Sequence, residues 1–505
     1  MKKLLLGIVI IVILVGGIYI SQKSPNNPSN KILSYSIPSD VASFDNAKLI
    51  ESISINLLFG HVYESLINYD TDSASFKPLL AKSWNISNDG LVYKFNLREG
   101  VYFHDGTIFD SNVVLKNLNR IKNPKISPVL SQFLSGIKTI ETPDKRTIKI
   151  TLSSPDSSFL SKISFISIAS AKSIKENTLS EKPTGTGPLV FTSHEIGKKI
   201  VFKRNDNYWG KKSNIAELDV LVIPDDLGRT LALKNGDIDF WIMSSFNPNV
   251  GKLVKQNNIL FKSVAGNTIN SIYFNLNDAQ LSNRDIRVAF AESIDKKEIL
   301  KILNNFGVKS KGPVPTMYKE NTPEVTDYSF NLANAKSLYK KANIHEPIKI
   351  LYISDDPVNK TISEYIASQW RKIGAEVEIS GYDFAGILDK VVNRKFQAVL
   401  SYLGGPYPDP LFFIETPFSS SGPYSVFLGY NTKKIDQLVY DIKNTTDLQT
   451  RQKDFVKAQQ IVIKDIPAIF LYDSKVGILY NKQKIKNIKI DSFISLKYLE
   501  QTELY

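Results

Sequence analysis

Apolar and polar residues alternate over 91–97, where Leu91, Tyr93, Phe95 and Leu97 share one face. They alternate again over 147–152, with Ile148, Ile150 and Leu152 on one side. A period of two places every apolar side chain on the same face of an extended chain, so both stretches are expected to be strands. Residues 32–36, 200–204, 217–222, 238–242, 272–275, 348–353 and 376–379 read as further strands. Helical spacing predicts a helix within 50–67, through Ile53, Ile55, Leu57, Leu58, Val62 and Leu66, and others over 110–121, 230–234 and from 285 to 290. Asp295-Lys-Lys-Glu298 has the spacing of a capping box ahead of Ile299, Leu300 and Leu303. Over 361–373, Ile362, Tyr365, Ile366, Trp370 and Ile373 form one stripe, and Gly374 ends the helix. If the strands on either side of that helix pair in parallel, the unit is a right-handed βαβ crossover. Helices over 435–442 and 452–464, then short strands around Ile469 and over 476–479, finish the chain.

One stretch departs from these patterns. Ser401-Tyr-Leu-Gly-Gly-Pro-Tyr-Pro-Asp-Pro-Leu-Phe-Phe413 follows an apolar strand end (Ala398, Val399, Leu400) and holds two glycines and three prolines. The prolines fix φ and restrict the residues before them, so the loop is stiff. Gly404 and Gly405 let another group approach the backbone, and Tyr402, Tyr407, Phe412 and Phe413 surround them with aromatic surface. Such a loop suits a small molecule or a peptide, or serves as a structural turn. Pro183-Thr-Gly-Thr-Gly-Pro188 reads as a crossing between larger units.

At 505 residues the chain exceeds one hydrophobic core, and two or three domains are expected. With 42% hydrophobic and 22% charged residues it is globular. The absence of cysteine excludes disulfides, thiol nucleophiles, cysteine metal sites and a lipid anchor on an N-terminal cysteine. Met1-Lys-Lys3 is a basic head, and residues 4–20 are almost wholly apolar, as in a signal or an anchor. No small-x-small cleavage site follows Gly16-Gly17, so residues 1–23 are expected to stay as a membrane-anchor helix, with the rest exported. Residues 24–32 then form a tether. The formal charge of +13 is spread along the chain without alternating with base-stacking aromatics, so no nucleic-acid partner is expected.

The chemistry search excludes most catalytic classes. His194-Glu195 and His345-Glu346 lack the second histidine of a zinc-protease helix, and His104-Asp105 reads as a turn. No P-loop, dinucleotide fingerprint or Gly-x-Ser-x-Gly elbow is present, so no enzyme activity, cofactor or metal site is expected. Trp241 and Tyr407 can stack on a ligand or act as core and surface aromatics.

Several blocks, in order, resemble the extracytoplasmic solute-binding proteins of peptide- and nickel-type ABC transporters. Pro78-Leu-Leu-Ala-Lys-Ser-Trp84 is similar to the family's P-x-L-A-x-S-W. Phe95-Asn-Leu-Arg-Glu-Gly-Val-Tyr-Phe-His-Asp-Gly106 is close to F-x-L-R-x-G-V-x-F-H-D-G. Gly185-Thr-Gly-Pro188, Arg204-Asn-Asp-Asn-Tyr-Trp-Gly210, Phe274-Asn275, Asp285-Ile-Arg-Val-Ala-Phe-Ala291 with Ile294-Asp295, and Tyr407-Pro-Asp-Pro410 match further blocks. Together they span about Ser36 to Gln483, and as a set they are highly specific.

The resemblance implies an α/β two-lobed periplasmic-binding-protein clamp with an extra inserted domain. Its expected division is 33–75, 185–268 and 471–505 for lobe I, 76–184 for the insertion and 269–470 for lobe III. Ligand would lie between lobes that close by a hinge. The implied cleft residues are Asp40, Val41, Ala42, Trp241, Tyr402, Gly404, Gly405, Tyr407 and Asp409. The implied role is capture of oligopeptides or a similar solute outside the cytoplasm and delivery to an ABC permease, by a monomer anchored at the membrane. Peptide-binding members often carry an aspartate just before Y-P-D-P that pairs with the peptide's amino group. Gly405-Pro406 stands there in this chain. A peptide held otherwise, a blocked peptide, an oligosaccharide or a metal chelate therefore stay open, as does a signal-peptide receptor without transport.

Overall fold

The computed structural model describes residues 31–49, 52–243, 258–343, 346–493 and 496–505. The expected anchor and most of the tether lie outside them, as does His345. Among the described residues no helix is long and apolar enough to cross a membrane.

Among the described residues the main sheet has 11 strands. From one edge it runs Leu189–Glu195, Lys199–Arg204, Glu217–Val222, Ile32–Ile37 and Phe240–Met243, then two long strands, Ala468–Asn481 and Ile259–Phe274. Beyond these come Ala398–Gly404, Ile348–Ile353 and Val377–Tyr382, while Gly307–Lys309 pairs with Ala468–Asn481. Ile32–Ile37 lies parallel to both of its neighbours, and Ile348–Ile353 lies parallel to Ala398–Gly404 and Val377–Tyr382. Parallel strands are covered on both faces, which explains their near-continuous apolar runs. The helix Pro357–Lys372 connects two of them and buries Ile362, Ile366 and Trp370, the stripe read from the sequence.

Buried side chains divide along the sheet. Leu33, Tyr35, Phe202, Leu218, Val220 and Phe240 belong to one core, which also takes Ile478, Ile488 and Leu499 from the C-terminal segment. At the other end, Ile272, Phe274, Ile350, Ala398 and Leu400 pack on one face, and Ile269, Tyr273, Leu351, Val399 and Leu403 on the opposite face. That split follows from the two-residue repeat of a strand. The long strands carry the chain between the two lobes.

A separate sheet, ordered Ala81–Ile86, Val92–Leu97, Thr147–Leu152, Ile137–Asp144, packs with the helix Ser111–Lys122 around its own core of Phe95, Ile148, Ile150, Val114 and Leu118. Asp110 caps that helix by accepting from the Val113 amide. This unit joins the first lobe at Gly185 and Gly187. A Cβ there would lie 1.9 Å from the Val62 oxygen and 2.2 Å from the His61 oxygen, so only glycine permits the contact. Beside them buried Glu64 accepts from Thr186 Oγ1, Tyr208 Oη and Trp209 Nε1 at 2.8, 2.8 and 2.9 Å.

Two expectations are corrected. The helix expected within 50–67 is confined to Ser52–Leu58. Gly60, at φ +84°, turns the chain into the strands Glu64–Ser65 and Ile67–Asp70, so Leu66 is buried from the bend between two strands. The short strands expected at 272–275, around Ile469 and over 476–479 are ends of the 16- and 14-residue long strands. Their middles carry Asn267, Thr268, Asp473, Ser474 and Lys475, whose polarity breaks the apolar repeat.

Candidate ligand-binding site

A cavity of about 700 Å³ lies where the lobes and the smaller unit meet. Its floor is the middle of the two long strands, with Asn267, Asn270, Tyr472 and Ser474 among its lining. Here the ladder between them is interrupted: Ala265 opposes Lys475, and pairing resumes at Ile269 opposite Asp473. Such a bulge re-aims side chains and bends the strand. The smaller unit contributes Val129, Leu130, Phe133 and Phe165, and the first lobe contributes Leu49, Ile55 and Asn56. The far wall is made by the strand ends at Ile353 and Gly404, with Asp355, Asp356, Phe384 and Tyr402 around them. A crevice at the carboxyl ends of parallel strands is the usual ligand position in open α/β sheets.

The stiff loop is held from beneath by Asn267. Its Nδ2 donates to the Gly405 oxygen at 2.7 Å, its backbone oxygen accepts from the Gly405 amide at 3.2 Å, and its Oδ1 accepts from Tyr318 Oη at 2.7 Å. A Cβ on Gly405 would lie 2.7 Å from Asn267 Nδ2, so the glycine makes this clamp possible.

Of the residues expected at the site, Tyr402, Gly404 and Gly405 line the cavity, and Tyr402 is 50% exposed. Tyr407 stands one layer behind them, 8% exposed, edge-on to Phe133 at 5.0 Å and to Phe412 at 6.1 Å. It thus joins the loop to the smaller unit. Asp409 is 3% exposed; both its oxygens accept from Arg451 Nη2, at 3.0 and 2.9 Å, and Oδ1 also takes the Leu411 amide. Asp40 accepts from His194 Nε2 at 2.8 Å and from the Gly197 amide at 2.6 Å, which pins the hairpin of Leu189–Glu195 and Lys199–Arg204. Val41 is buried in the first lobe's core, and Ala42 is exposed outside the cavity lining. Trp241 is 4% exposed, packed with Leu233, Ile238 and Leu479 under the Arg229 guanidinium at 5.3 Å. It does not line the cavity.

The sequence reading passed over Asp355, Asp356, Phe384, Asn267 and Phe133. Asp355-Asp356, two charges directly after a buried strand, was the one local signal. Burial raises the Asp356 carboxyl above its ordinary value, the Val358 amide opposes this, and the Asp226 carboxylate adds to the rise. Burial and the two aspartates likewise raise Tyr402.

Residues 75–425 match the family model of bacterial extracellular solute-binding proteins, family 5, middle region. The chain is 28% identical over 488 residues to heme-binding protein A of Haemophilus influenzae, covering 89% of this chain and 88% of that protein. It is 26% identical over 455 residues to the dipeptide-binding protein of Escherichia coli, covering 82% and 84%. Its fold matches a periplasmic binding protein of Helicobacter pylori solved with the peptide STSA, with a TM-score of 0.78 and 26% identity over 94% and 98% of the two chains. With the lobes, the intervening cavity and the family match in agreement, the chain belongs to family 5 of the bacterial extracellular solute-binding proteins, the solute-binding components of ABC transporters.

Proposed function

We propose that this protein captures short peptides in the interlobe cavity and delivers them to an ABC permease in the membrane. The observation that carries this reading is the cavity itself. Its 700 Å³ lies within the usual range for small-ligand sites, and main chain at Gly404 and Gly405 is exposed to it beside aromatic walls. Backbone-rich lining suits a ligand recognised through its own backbone, with side chains taken up in tolerant, wet space. Contacts are assigned to Tyr402, Gly404 and Gly405, with Tyr407 as their support. Peptide-binding relatives favour the same substrate class.

The membership of the cores supports a division into lobe I (33–75, 185–268, 471–505), an insertion (76–184) and lobe III (269–470). In this reading the interrupted ladder at 266–268 is the hinge, and closure of the lobes signals occupancy to the permease. Residues 1–23 hold the receptor at the outer face of the membrane. Native mass spectrometry of the full chain, extracted in mild detergent, tests the substrate class. A ladder of co-purified peptide masses is expected; a single non-peptide mass refutes it. Undiminished peptide uptake in a strain lacking the protein would refute the transport role.

A further inference from the structure

Resting on the peptide reading, we infer that Asp355 and Asp356 are the anionic anchor of the cleft and select ligands presenting an ammonium or guanidinium group beneath Phe384 and Tyr402. The placement follows from the sheet. Ile350, Leu351 and Tyr352 pair in parallel with Ala398, Val399 and Leu400. Continued at the same offset, that register brings Asp355 and Asp356 beside Leu403 and Gly404, one strand spacing of about 4.8 Å away. The chain has no acid at Gly405-Pro406, and the neighbouring strand end supplies two at nearly the same place.

Both carboxylates are oriented by backbone amides. Asp355 Oδ2 accepts from the Phe384 amide at 3.2 Å, and Asp356 Oδ1 accepts from the Val358 amide at 2.9 Å. Each bond fixes one oxygen of a side chain that lines the cavity. Among the described residues neither forms an ion pair, whereas the buried carboxylates Asp45, Asp239 and Asp409 are paired with Arg120, Lys484 and Arg451. Among the described residues these three carboxylates each carry a cationic partner from the protein, and Asp355 and Asp356 do not. A ligand cation is their natural partner, because partial burial strengthens the attraction without requiring full desolvation.

The surroundings agree. Phe384 is 52% exposed and Tyr402 50% exposed, which leaves both rings open to a ligand. Their faces add cation–π attraction for the same group. Among the described residues the basic side chain in the cavity lining is Lys475, whose Nζ donates to the Asn305 oxygen at 3.0 Å. Among the described residues the lining holds two carboxylates and one ammonium, the reverse of the protein's overall basic balance.

Calorimetry on the full chain in detergent tests this with three probes: Ala-Ala-Ala, its N-acetylated form, and N-acetyl-Ala-Lys-Ala. Wild type is expected to bind Ala-Ala-Ala, and N-acetylation to weaken binding about 10- to 100-fold. The double variant Asp355→Asn/Asp356→Asn is expected to weaken Ala-Ala-Ala by a similar factor while leaving the acetylated peptide unchanged. Asparagine keeps the helix cap at position 356, and an unchanged melting temperature confirms the fold. Tight binding of N-acetyl-Ala-Lys-Ala, lost in the double variant, would identify a basic side chain as the source of the cation and also supports the inference. A double variant that binds Ala-Ala-Ala as wild type does overturns the inference and leaves the peptide reading intact. Wild type that binds none of the three probes overturns both.

Discussion

Replacing Asp409 by alanine is expected to loosen the lobe that presents the stiff loop, through an ion pair rather than through lost ligand contact. Arg451, on the helix Leu448–Asp465, donates to both Asp409 oxygens at 3.0 and 2.9 Å, and its Nη1 lies 3.4 Å from Glu320. All three side chains are largely buried, and the guanidinium rests over the Phe455 ring at 4.8 Å. Alanine at 409 leaves that guanidinium with Glu320 as its remaining carboxylate, beside a long contact to Ser157 Oγ, and the Leu411 amide without its acceptor. Breaking a buried pair by removing one partner costs about 3–5 kcal/mol, a range that already includes the orphaned partner. At about 2–4 °C per kcal/mol for a unit of this size, a loss of about 4 kcal/mol lowers the lobe's melting temperature by roughly 8–16 °C. Asparagine retains the acceptor for the Leu411 amide and is expected to cost about half as much. The double variant Asp409→Ala/Arg451→Met removes both charges and is expected to recover part of the loss. Glu320 would then stand alone, and burial already raises its carboxyl above the ordinary value, so it can take up a proton. Scanning calorimetry with urea unfolding followed by circular dichroism measures the cycle. A loss below about 1 kcal/mol for Asp409→Ala, or no coupling between the two sites, would refute this account.

Two further outcomes concern the junction of the smaller unit with the first lobe. Burial pushes Glu64 up to about 7 from its ordinary 4.5, against the three donors that face it. The folded chain therefore holds an extra proton between those values, so this group's contribution is complete below about 4.5 and lost as pH rises through 7. Glu64→Gln is expected to show a shallower fall in urea midpoint from pH 5 to pH 8 than wild type, and parallel profiles would count against it. Gly185→Ala places a methyl group 1.9 Å from the Val62 oxygen and is expected to cost about 3 kcal/mol or more. Thermal melts of soluble protein check this, and a variant as stable as wild type would show that the close contact is dispensable.

Local pattern was most legible where one face of an element meets a core. The strands Thr147–Leu152, Glu217–Val222 and Ile348–Ile353 have the bounds read from their apolar residues. The stripe ending at Ile373 belongs to Pro357–Lys372, which begins earlier because Asp356 caps it ahead of Pro357. The long strands escaped because their middles line the cavity, where no core demands apolar side chains. The helix expected up to Ile67 failed for the opposite reason. Leu66 and Ile67 are apolar because a different core takes them up, after Gly60 has turned the chain.

The candidate site divides along the same line. Tyr402, Gly404 and Gly405 were legible because proline, glycine and aromatic residues at a strand end carry their conformational meaning within a few positions. Asp409 and Tyr407 stand in the same loop, yet tertiary packing turns them to Arg451 and Phe133. Nothing local distinguishes Asn267 from an ordinary surface residue, and the paired charges Asp355-Asp356 after a buried strand are only a faint local mark.

The sequence by itself determined the class of fold, the family and the stiff loop, because apolar period, turn residues and ordered motifs act over short spans. Only the tertiary structure decided which side chains share the cleft. Leu49, Phe133, Asn267, Asp355, Tyr402 and Ser474 meet there through strand pairing and lobe packing. Those contacts are set by which distant surfaces are buried together, a property of the whole chain that no single segment carries.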